Sequence, residues 1–282
     1  MLTTEQTTKA EKLLSLHTNG QLLILPNIWN PIGARVLESK GYPAVATASA
    51  AIAESLGYAD GENIRFETML EMLTRIARSV DVPVTADIEA GYASTVSELK
   101  DSIHEVLKTG VVGINIEDSL VEGVSMRSVR EQCERIAAVR EAADQYGVHL
   151  VINARVDSFF LDSLGAGQEK LEDAVARANA YAEAGADCIY PIGPGDRETV
   201  SLLRQRIVVP LNILATPNAV SLTDLQRLGI NRVSFGPFIF RSLLAKFVRI
   251  ADELKDFGPY SVFAEQSMSG KDVTKFLISG KE

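Results

Sequence analysis

The stretch Val84–Ala93, V-T-A-D-I-E-A-G-Y-A, runs from an apolar segment directly into two carboxylates and a Gly-Tyr turn. Apolar runs of this kind are typical of buried strands, on which side chains alternate between the two faces. Thr85, Asp87 and Glu89 are therefore predicted to share one face. Two neighbouring anions repel each other, so such a pair shares a proton, is solvated at a surface or holds a cation. The stretch alone leaves these three alternatives open.

Similar apolar runs recur along the chain, and segments with helical periodicity separate them. Gly41, Gly110, Gly185 and Gly229 each stand between a helical segment and a strand, where the left-handed C-cap conformation favours glycine. Eight strand–helix units in 282 residues predict an α/β fold, a TIM (β/α)8 barrel, for which about 250 residues is usual. A doubly wound open sheet is the alternative, but its glycine-rich dinucleotide loop is missing from the sequence. The predicted strands are 22–25, 44–47, 82–87, 112–117, 150–155, 188–191, 210–214 and 232–235.

No linker divides the chain, so a single domain is predicted. The barrel would occupy about residues 20–257, and a C-terminal helical extension would occupy about 258–282. Thr95 and Glu98 have the spacing of a capping box at the start of one helix. The extension either packs on a neighbouring subunit or is loosely ordered. The predicted helices include 4–17, 66–77, 95–107, 171–181, 238–257 and a short pattern over 273–278.

Composition narrows the class of partner. The chain has 37 acidic and 28 basic residues, a formal net charge of −9, which argues against nucleic acid or an anionic membrane as a main partner. No apolar run is long enough to span a bilayer, and the polar N-terminal segment lacks the apolar core of a signal peptide. Cys133 and Cys188 make neither a disulfide framework nor a zinc site. A cytoplasmic location and a small-molecule partner are predicted.

In a TIM barrel the active site lies at the carboxyl ends of the strands, and polar side chains collect there in this sequence. Alternation along the strands predicts that Glu117 and Arg155 both reach the barrel mouth near Asp87. Carboxylate oxygens favour Mg²⁺, with Mn²⁺ as the alternative, and an arginine can bind a substrate carboxylate with two hydrogen bonds. This constellation predicts metal-assisted chemistry on a small carboxylic acid. Other polar groups at the strand ends or in the following loops are Asn27, Trp29, Asn30, Thr47, Ser49, Tyr58, Asp60, Tyr92, Asn115, Asp118, Asn153, Asp157 and Asn212.

Four motifs at these strand ends resemble the phosphoenolpyruvate mutase/isocitrate lyase superfamily. They are A-T-A-S-A-A-I-A-E-S-L-G-Y-A-D at 46–60, T-A-D-I-E-A-G-Y at 85–92, G-I-N-I-E-D-S at 113–119 and N-A-R-V-D at 153–157. The runs P-N-I-W-N-P near Pro26 and A-E-A-G-A-D near Ala182 fit as well.

The resemblance implies a Mg²⁺-dependent barrel enzyme that makes or stabilises a pyruvate enolate. It implies that Asp87 binds the metal directly or through water, while Glu89 and Glu117 hold the metal's waters. Arg155 would bind the substrate carboxylate, and Asp60 would lie on the loop that covers the substrate. Members of the family usually form homotetramers in which C-terminal helices swap between subunits. The candidates for substrate contacts are Trp29, Thr47, Ala48, Ser49, Arg155 and Asn212, with backbone N–H groups around Ala48 and Ser49 cradling the enolate oxygen.

Departures from the family pattern narrow the reaction. Isocitrate and methylisocitrate lyases carry K-[KR]-C-G-H after the fourth strand, and the mutase and phosphonopyruvate hydrolase use Lys with Asn or Thr in the same loop. This chain has L-V-E-G-V-S at 120–125 instead, which argues against isocitrate and methylisocitrate as substrates. Either Ala48 or Ser49 takes the serine position of the family, and either water or Tyr58 is the candidate proton donor.

The sequence therefore predicts a Mg²⁺-dependent carbon–carbon lyase of a small 2-oxo acid, similar to an oxaloacetate decarboxylase. A phosphoenolpyruvate phosphonomutase or phosphonopyruvate hydrolase, which would act on a P–C bond, is the alternative within the fold. A 2-oxo-acid-binding protein with little turnover is the alternative of another class. A non-enzymatic scaffold would leave the acidic cluster at the barrel mouth unexplained.

Overall fold

The structure, a computed structural model, describes residues 4–121, 124–260, 263 and 267–277. Strands and helices alternate along the chain, as the sequence predicts. The strands are β1 Leu23–Leu25, β2 Asn27–Ile28, β3 Val45–Thr47, β4 Val84–Asp87, β5 Gly113–Glu117, β6 Ser119–Val121, β7 Ser125–Met126, β8 Val151–Val156, β9 Cys188–Pro191, β10 Asn212–Leu214 and β11 Arg232–Ser234. The helices are α1 Thr4–Thr18, α2 Pro31–Ser39, α3 Ser49–Ser55, α4 Phe66–Ala77, α5 Val96–Lys108, α6 Val129–Tyr146, α7 Gly167–Glu183, α8 Arg197–Arg206, α9 Leu222–Arg227, α10 Phe238–Lys255 and α11 Gly270–Thr274, with a short 3₁₀ turn at Asp162–Leu164.

Parallel pairing joins the main strands into a ring. One sheet has the order β1-β11-β10 and the other has the order β2-β3-β4-β5-β8-β9. A bridge between Ile189 and Leu211 connects β9 to the segment that enters β10. On the opposite side, β1 and β2 are consecutive pieces of one strand, separated by Pro26, which has no N–H to donate to a ladder. The eight predicted strands therefore form the predicted barrel.

The predicted local signals are present. Gly41, Gly110, Gly185 and Gly229 all have positive φ, between 75° and 112°, as the left-handed turn before each strand requires. Thr95 caps α5, and both hydrogen bonds of its capping box with Glu98 are made. Since the strands are parallel and covered by helices, their apolar side chains are buried on both faces.

Two elements near the carboxyl ends of the strands were not predicted. The first is α3, which directly follows β3. Residues Ser49 to Ala53 are all buried, so the sequence S-A-A-I-A-E-S does not show the polar face by which a surface helix is recognised. The second is the antiparallel hairpin β6–β7, which occupies the loop after the fourth barrel strand. Glu122 and Gly123 of this loop lie outside the described residues.

The C-terminal part begins with α10, an 18-residue helix in which no described residue is buried. The short pattern predicted over 273–278 overlaps α11, and its last residue, Ile278, lies outside the described residues. Among the described helices, none is both long and apolar enough to cross a membrane.

Candidate active site

Asp87 lies at the carboxyl end of β4 and is held by the neighbouring strand–helix unit. Its Oδ2 accepts hydrogen bonds from the backbone N of Ser49 (3.1 Å) and from Oγ of Ser49 (2.9 Å). Its own backbone N donates to Oγ1 of Thr47 (2.9 Å), which is buried. Of the two candidates for the serine position, Ser49 is thus the residue that contacts Asp87. Through its hydroxyl, Thr47 holds the backbone at the carboxyl end of β4.

The backbone amides of Ala48 and Ser49 were expected to cradle an enolate oxygen. In the structure both already have protein acceptors, because the N–H of Ala48 donates to the carbonyl of Ile28 (3.2 Å) and that of Ser49 donates to Asp87. The expected cradle is therefore not formed by these two groups. Ala50, in the first turn of α3, lines the cavity beside them.

Glu89 reaches the site by a different route from the one predicted. β4 ends at Asp87, and Glu89 follows in the left-handed conformation with φ of 54°, so strand alternation does not place the two carboxylates on one face. Tyr92 and Glu62 have similar φ values of 52° and 57°. Non-glycine residues adopt this conformation only at a cost in free energy, and residues strained in this way cluster at functional sites. Gly91 permits the turn, since a Cβ there would lie 2.6 Å from Leu99.

The loop after α3 is fastened onto this strained turn. The backbone N of Glu62 donates to Oε2 of Glu89 (2.5 Å), and the backbone N of Tyr92 donates to Oε1 of Glu62 (2.7 Å). The ring of Tyr92 stacks on Phe66 at 5.0 Å. Burial, followed by the charges of Asp60 and Asp87, raises the pKa of Glu89 to about 8. Asp60, on the same loop, lines the cavities at the barrel mouth.

Glu117 and Arg155 lie side by side at the ends of β5 and β8, in register with each other. Nη1 of Arg155 is 2.7 Å from Oε2 of Glu117. Nε and Nη2 of Arg155 donate to the two oxygens of Asp157 (2.7 and 2.8 Å), a two-bond fork that holds the guanidinium plane. Burial raises the pKa of Glu117, an effect opposed by Arg155 and supported by Asp157 and Asp87. From the sequence, Asp157 is recognised only as a polar group at a strand end, without a supporting role.

Two cavities meet at this point and share Asp60 and Arg155. The first has a volume of about 230 Å³ and contains Asp87, whereas the second has a volume of about 380 Å³ and contains Glu89 and Glu117. The first cavity is lined by Asn27, Ala48, Ser49, Ala50, Asp60, Asp87, Asn115, Arg155, Tyr190, Ile192, Leu214, Ser234, Gly236, Pro237, Phe238 and Arg241. The mouth of the barrel thus holds a polar space of the size of a small acid.

Four of the predicted residues are not among the described residues that line these cavities. Trp29 packs edge-to-face on Phe240 at 5.1 Å, Thr47 is buried beneath Asp87, and Asn212 is buried with its Nδ2 donating to Oγ of Ser234 (3.2 Å). Tyr58 is 54% exposed on the loop after α3. Tyr190, in place of Tyr58, lines the first cavity; it is in register with Arg155, and burial raises its pKa.

The site offers carboxylate oxygens, the ligand atoms that a hard cation such as Mg²⁺ prefers. Among the described residues, no three Asp, Glu, His or Cys side chains converge closely enough to form a direct metal cage. Asp87, Glu89 and Glu117 instead face two adjoining cavities; burial raises the pKa values of Glu89 and Glu117, and the charge of Asp87 raises both further. This arrangement fits Mg²⁺, which usually takes one or two carboxylates and keeps several waters. The acidic residues present therefore fit the predicted metal.

Comparison with known proteins identifies the family to which the chain belongs. A sequence model of the phosphoenolpyruvate phosphomutase family matches residues 13–255. The oxaloacetate decarboxylase of Paraburkholderia xenovorans (strain LB400) is 30% identical over 221 residues, covering 76% of this chain and 71% of that protein. A structure from Burkholderia cenocepacia J2315, whose phosphonomutase activity is itself an inference, is 35% identical with a TM-score of 0.82, covering 90% of this chain and all of that one. Phosphonopyruvate hydrolase in complex with oxalate and Mg²⁺ is 25% identical with a TM-score of 0.81, covering 95% and 94%.

The barrel and its acidic, arginine-containing mouth define an α/β-barrel enzyme of the lyase and mutase type. More narrowly, the chain belongs to the phosphoenolpyruvate phosphomutase family, within the phosphoenolpyruvate mutase/isocitrate lyase superfamily. The family predicted from the four motifs is confirmed.

Proposed function

We propose that the protein is a Mg²⁺-dependent lyase that cleaves a carbon–carbon bond of a small 2-oxo acid through a pyruvate enolate, as an oxaloacetate decarboxylase does. The observation that carries the proposal is the placement of Asp87 and Arg155 on one cavity, with Glu89 and Glu117 directly beside it. An anionic substrate needs a cationic partner there, and the arginine together with a cation held by the carboxylates supplies it.

Each side chain has a defined task in this proposal. Arg155, held rigidly by Asp157, binds the substrate carboxylate, and Asp87, with Glu89 and Glu117, holds the cation and its waters. Mg²⁺, when bound, supplies positive charge to the 2-oxo and carboxylate oxygens. The electrons of the cleaved C–C bond pass into the enolate as carbon dioxide leaves, and a proton then returns to the methylene carbon. Tyr190 is better placed than Tyr58 to border that carbon, because it lines the cavity.

Relatives support both the proposed reaction and its alternative. The relative named oxaloacetate decarboxylase favours C–C cleavage, and the relative named phosphonopyruvate hydrolase keeps P–C chemistry as the second candidate. Ser119 and Leu120 of the hairpin β6–β7 line the second cavity, and the loop at 120–125 has no Lys, Cys or His. Without a Lys, Cys or His in this loop, a reaction that releases carbon dioxide demands least of it.

A pyruvate-release assay tests the proposal. Purified protein with Mg²⁺ is given oxaloacetate, phosphonopyruvate, methylisocitrate and isocitrate separately, with a chelator control and a blank for spontaneous decarboxylation. Mg²⁺-dependent release from oxaloacetate above the blank is expected. Release from phosphonopyruvate alone would replace the proposal with P–C chemistry. Release from none of them, together with tight oxalate binding, would favour a binding protein with little turnover.

We also propose that the protein is a homo-oligomer, with the tetramer of its family as the expected form. The support is α10, which leaves Leu243, Leu244, Phe247 and Val248 between 46% and 65% exposed along one helix. Four neighbouring apolar side chains exposed along one helix are typical of a protein–protein interface. Light scattering after size exclusion is expected to give a multiple of 30.6 kDa. The variant Phe247→Glu is expected to shift that mass downwards, and a wild-type monomer would contradict the proposal.

A further inference from the structure

We propose, resting on the function above, that Asn115 binds the substrate: its side-chain NH₂ group donates to an oxygen of the 2-oxo acid, and the buried Arg232 fixes it in that orientation. From the sequence, Asn115 is recognised only as a polar group at a strand end, with no role, and Arg232 is not singled out. Asn115 is the binding residue in this proposal, and Arg232 is a positioning residue that acts through it.

Asn115 lies on the floor of the first cavity. It stands on β5 between Asp87 of β4 and Asn153 of β8, in register with both. It precedes Glu117 by two residues on the same strand, so it lies one layer deeper in the barrel. Its exposed fraction is 6%, and the residue lines the same cavity as Asp87 and Arg155. A ligand that reaches those two residues also meets Asn115.

The orientation of the Asn115 amide follows from its partners. Its Oδ1 accepts hydrogen bonds from Nδ2 of Asn153 (2.8 Å) and from Nη2 of Arg232 (3.1 Å). Side-chain amide orientations are usually ambiguous, but a guanidinium group can only donate, so the atom of Asn115 that faces Arg232 must be its oxygen. Nδ2 of Asn115 has no acceptor among the described residues and keeps access to solvent. It therefore points into the cavity.

The charge of Arg232 favours the same ligand. The side chain is completely buried, and among the described residues no carboxylate pairs with it, while Nε and Nη1 have no hydrogen-bond partner. A buried cation without a counter-ion is costly unless another charge compensates it. The hydrogen-bond partner of Arg232, Asn115, lines the cavity that would hold an anion, and so does Ser234, two residues further along β11. The positive charge of Arg232 and its hydrogen bond to Asn115 therefore both favour a hydrogen-bond acceptor, such as a carboxylate oxygen, at this end of the cavity.

The chemistry of the NH₂ group identifies the ligand atom. An amide nitrogen of this kind donates and does not coordinate Mg²⁺, so its partner is an oxygen of the substrate or a water, not the cation. A carboxylate or enolate oxygen is the acceptor that gains most from it, because hydrogen bonds to charged groups are the stronger ones. The inferred ligand class is a small planar carboxylate whose oxygen points down the barrel axis.

Oxalate, a planar dianion with the shape of a pyruvate enolate, is the probe for the test. Its dissociation constant with Mg²⁺ is measured by calorimetry for the wild type, for Asn115→Ala and for the matched control Asn153→Ala, which removes the neighbouring amide that does not line the cavity. Asn115→Ala is expected to weaken oxalate binding about 10-fold or more. Asn153→Ala is expected to weaken it less than about 3-fold, since Arg232 still holds the oxygen of Asn115. Both variants lose one buried amide, so their unfolding midpoints should fall by similar amounts.

A second pair of variants tests the orientation and serves if Asn115→Ala does not fold. Arg232→Met lets the two amides turn over together and is expected to weaken oxalate binding several-fold without lowering the unfolding midpoint. Arg232→Lys keeps a donor-only cation and is expected to restore most of the affinity. Equal affinity in the wild type, Asn115→Ala and Arg232→Met would overturn this inference alone. A wild type that binds no oxalate with Mg²⁺ would overturn the proposed function, and this inference with it.

Discussion

Replacing Asp87 with alanine is expected to abolish Mg²⁺-dependent pyruvate release, with a loss in kcat/KM of roughly a thousandfold or more. The side chain of Asp87 lines the first cavity, and Ser49 anchors one of its oxygens. The fold should survive the change. Asp87 contributes to the raised pKa of the buried Glu89, so its removal relieves repulsion on the Glu89 carboxylate.

Two measurements separate a lost site from a lost fold. Mg²⁺ with oxalate should raise the unfolding midpoint of the wild type but not that of Asp87→Ala, because a ligand stabilises only the state that binds it. Asp187→Asn is the matched control at the opposite end of the barrel, where the carboxylate accepts from Arg140 (2.6 Å) and from the backbone N of Ile152 (2.8 Å). It should lower the midpoint and leave kcat/KM within about twofold for the folded protein. Full activity in Asp87→Ala would refute the metal assignment.

The conservative change Arg155→Lys is expected to raise KM for the 2-oxo acid about 30- to 100-fold, with a smaller effect on kcat. Lysine keeps the positive charge that Glu117 and the buried Asp157 require, so the protein should fold. Lysine lacks the planar guanidinium group, whose Nε and Nη2 bind Asp157 and hold the arginine in place for the substrate carboxylate. The loss should therefore fall on substrate binding, and the oxalate dissociation constant should rise in parallel with KM.

Arg140→Lys is the matched control for this change. Arg140 also makes a short ion pair, with Asp187, and donates to the carbonyls of Leu150 and Gly185 at the amino ends of the strands. Its replacement should lower stability by a similar amount and leave KM unchanged. If Arg155→Lys left KM unchanged as well, Arg155 would be a structural partner of Asp157 and not the substrate anchor.

Much of the active-site neighbourhood could be predicted from the order of residues along each strand. Parity alone brought Glu117 and Arg155 together, and the structure pairs them in register. The same argument failed for Glu89, because β4 ends at Asp87 and a left-handed turn redirects the chain. Tyr190 went unrecognised because it lies inside the apolar run C-I-Y-P, which carries only the signal of a buried strand. Trp29 and Asn212 were favoured by position, yet both pack beside the cavity and do not line it.

The sequence by itself determined the barrel, the strand–helix order and the family, because periodicity, glycine turns and motifs depend on residues that are neighbours in the chain. The tertiary structure alone decided which polar groups meet. Ser49 holds Asp87 from 38 residues away, and Arg232 holds Asn115 from 117 residues away. Such pairs depend on strand register and on the orientation of side chains across the barrel, which no local pattern encodes. Most of the residues proposed to carry the chemistry were therefore foreseeable from the sequence, whereas most of the residues that orient them were not.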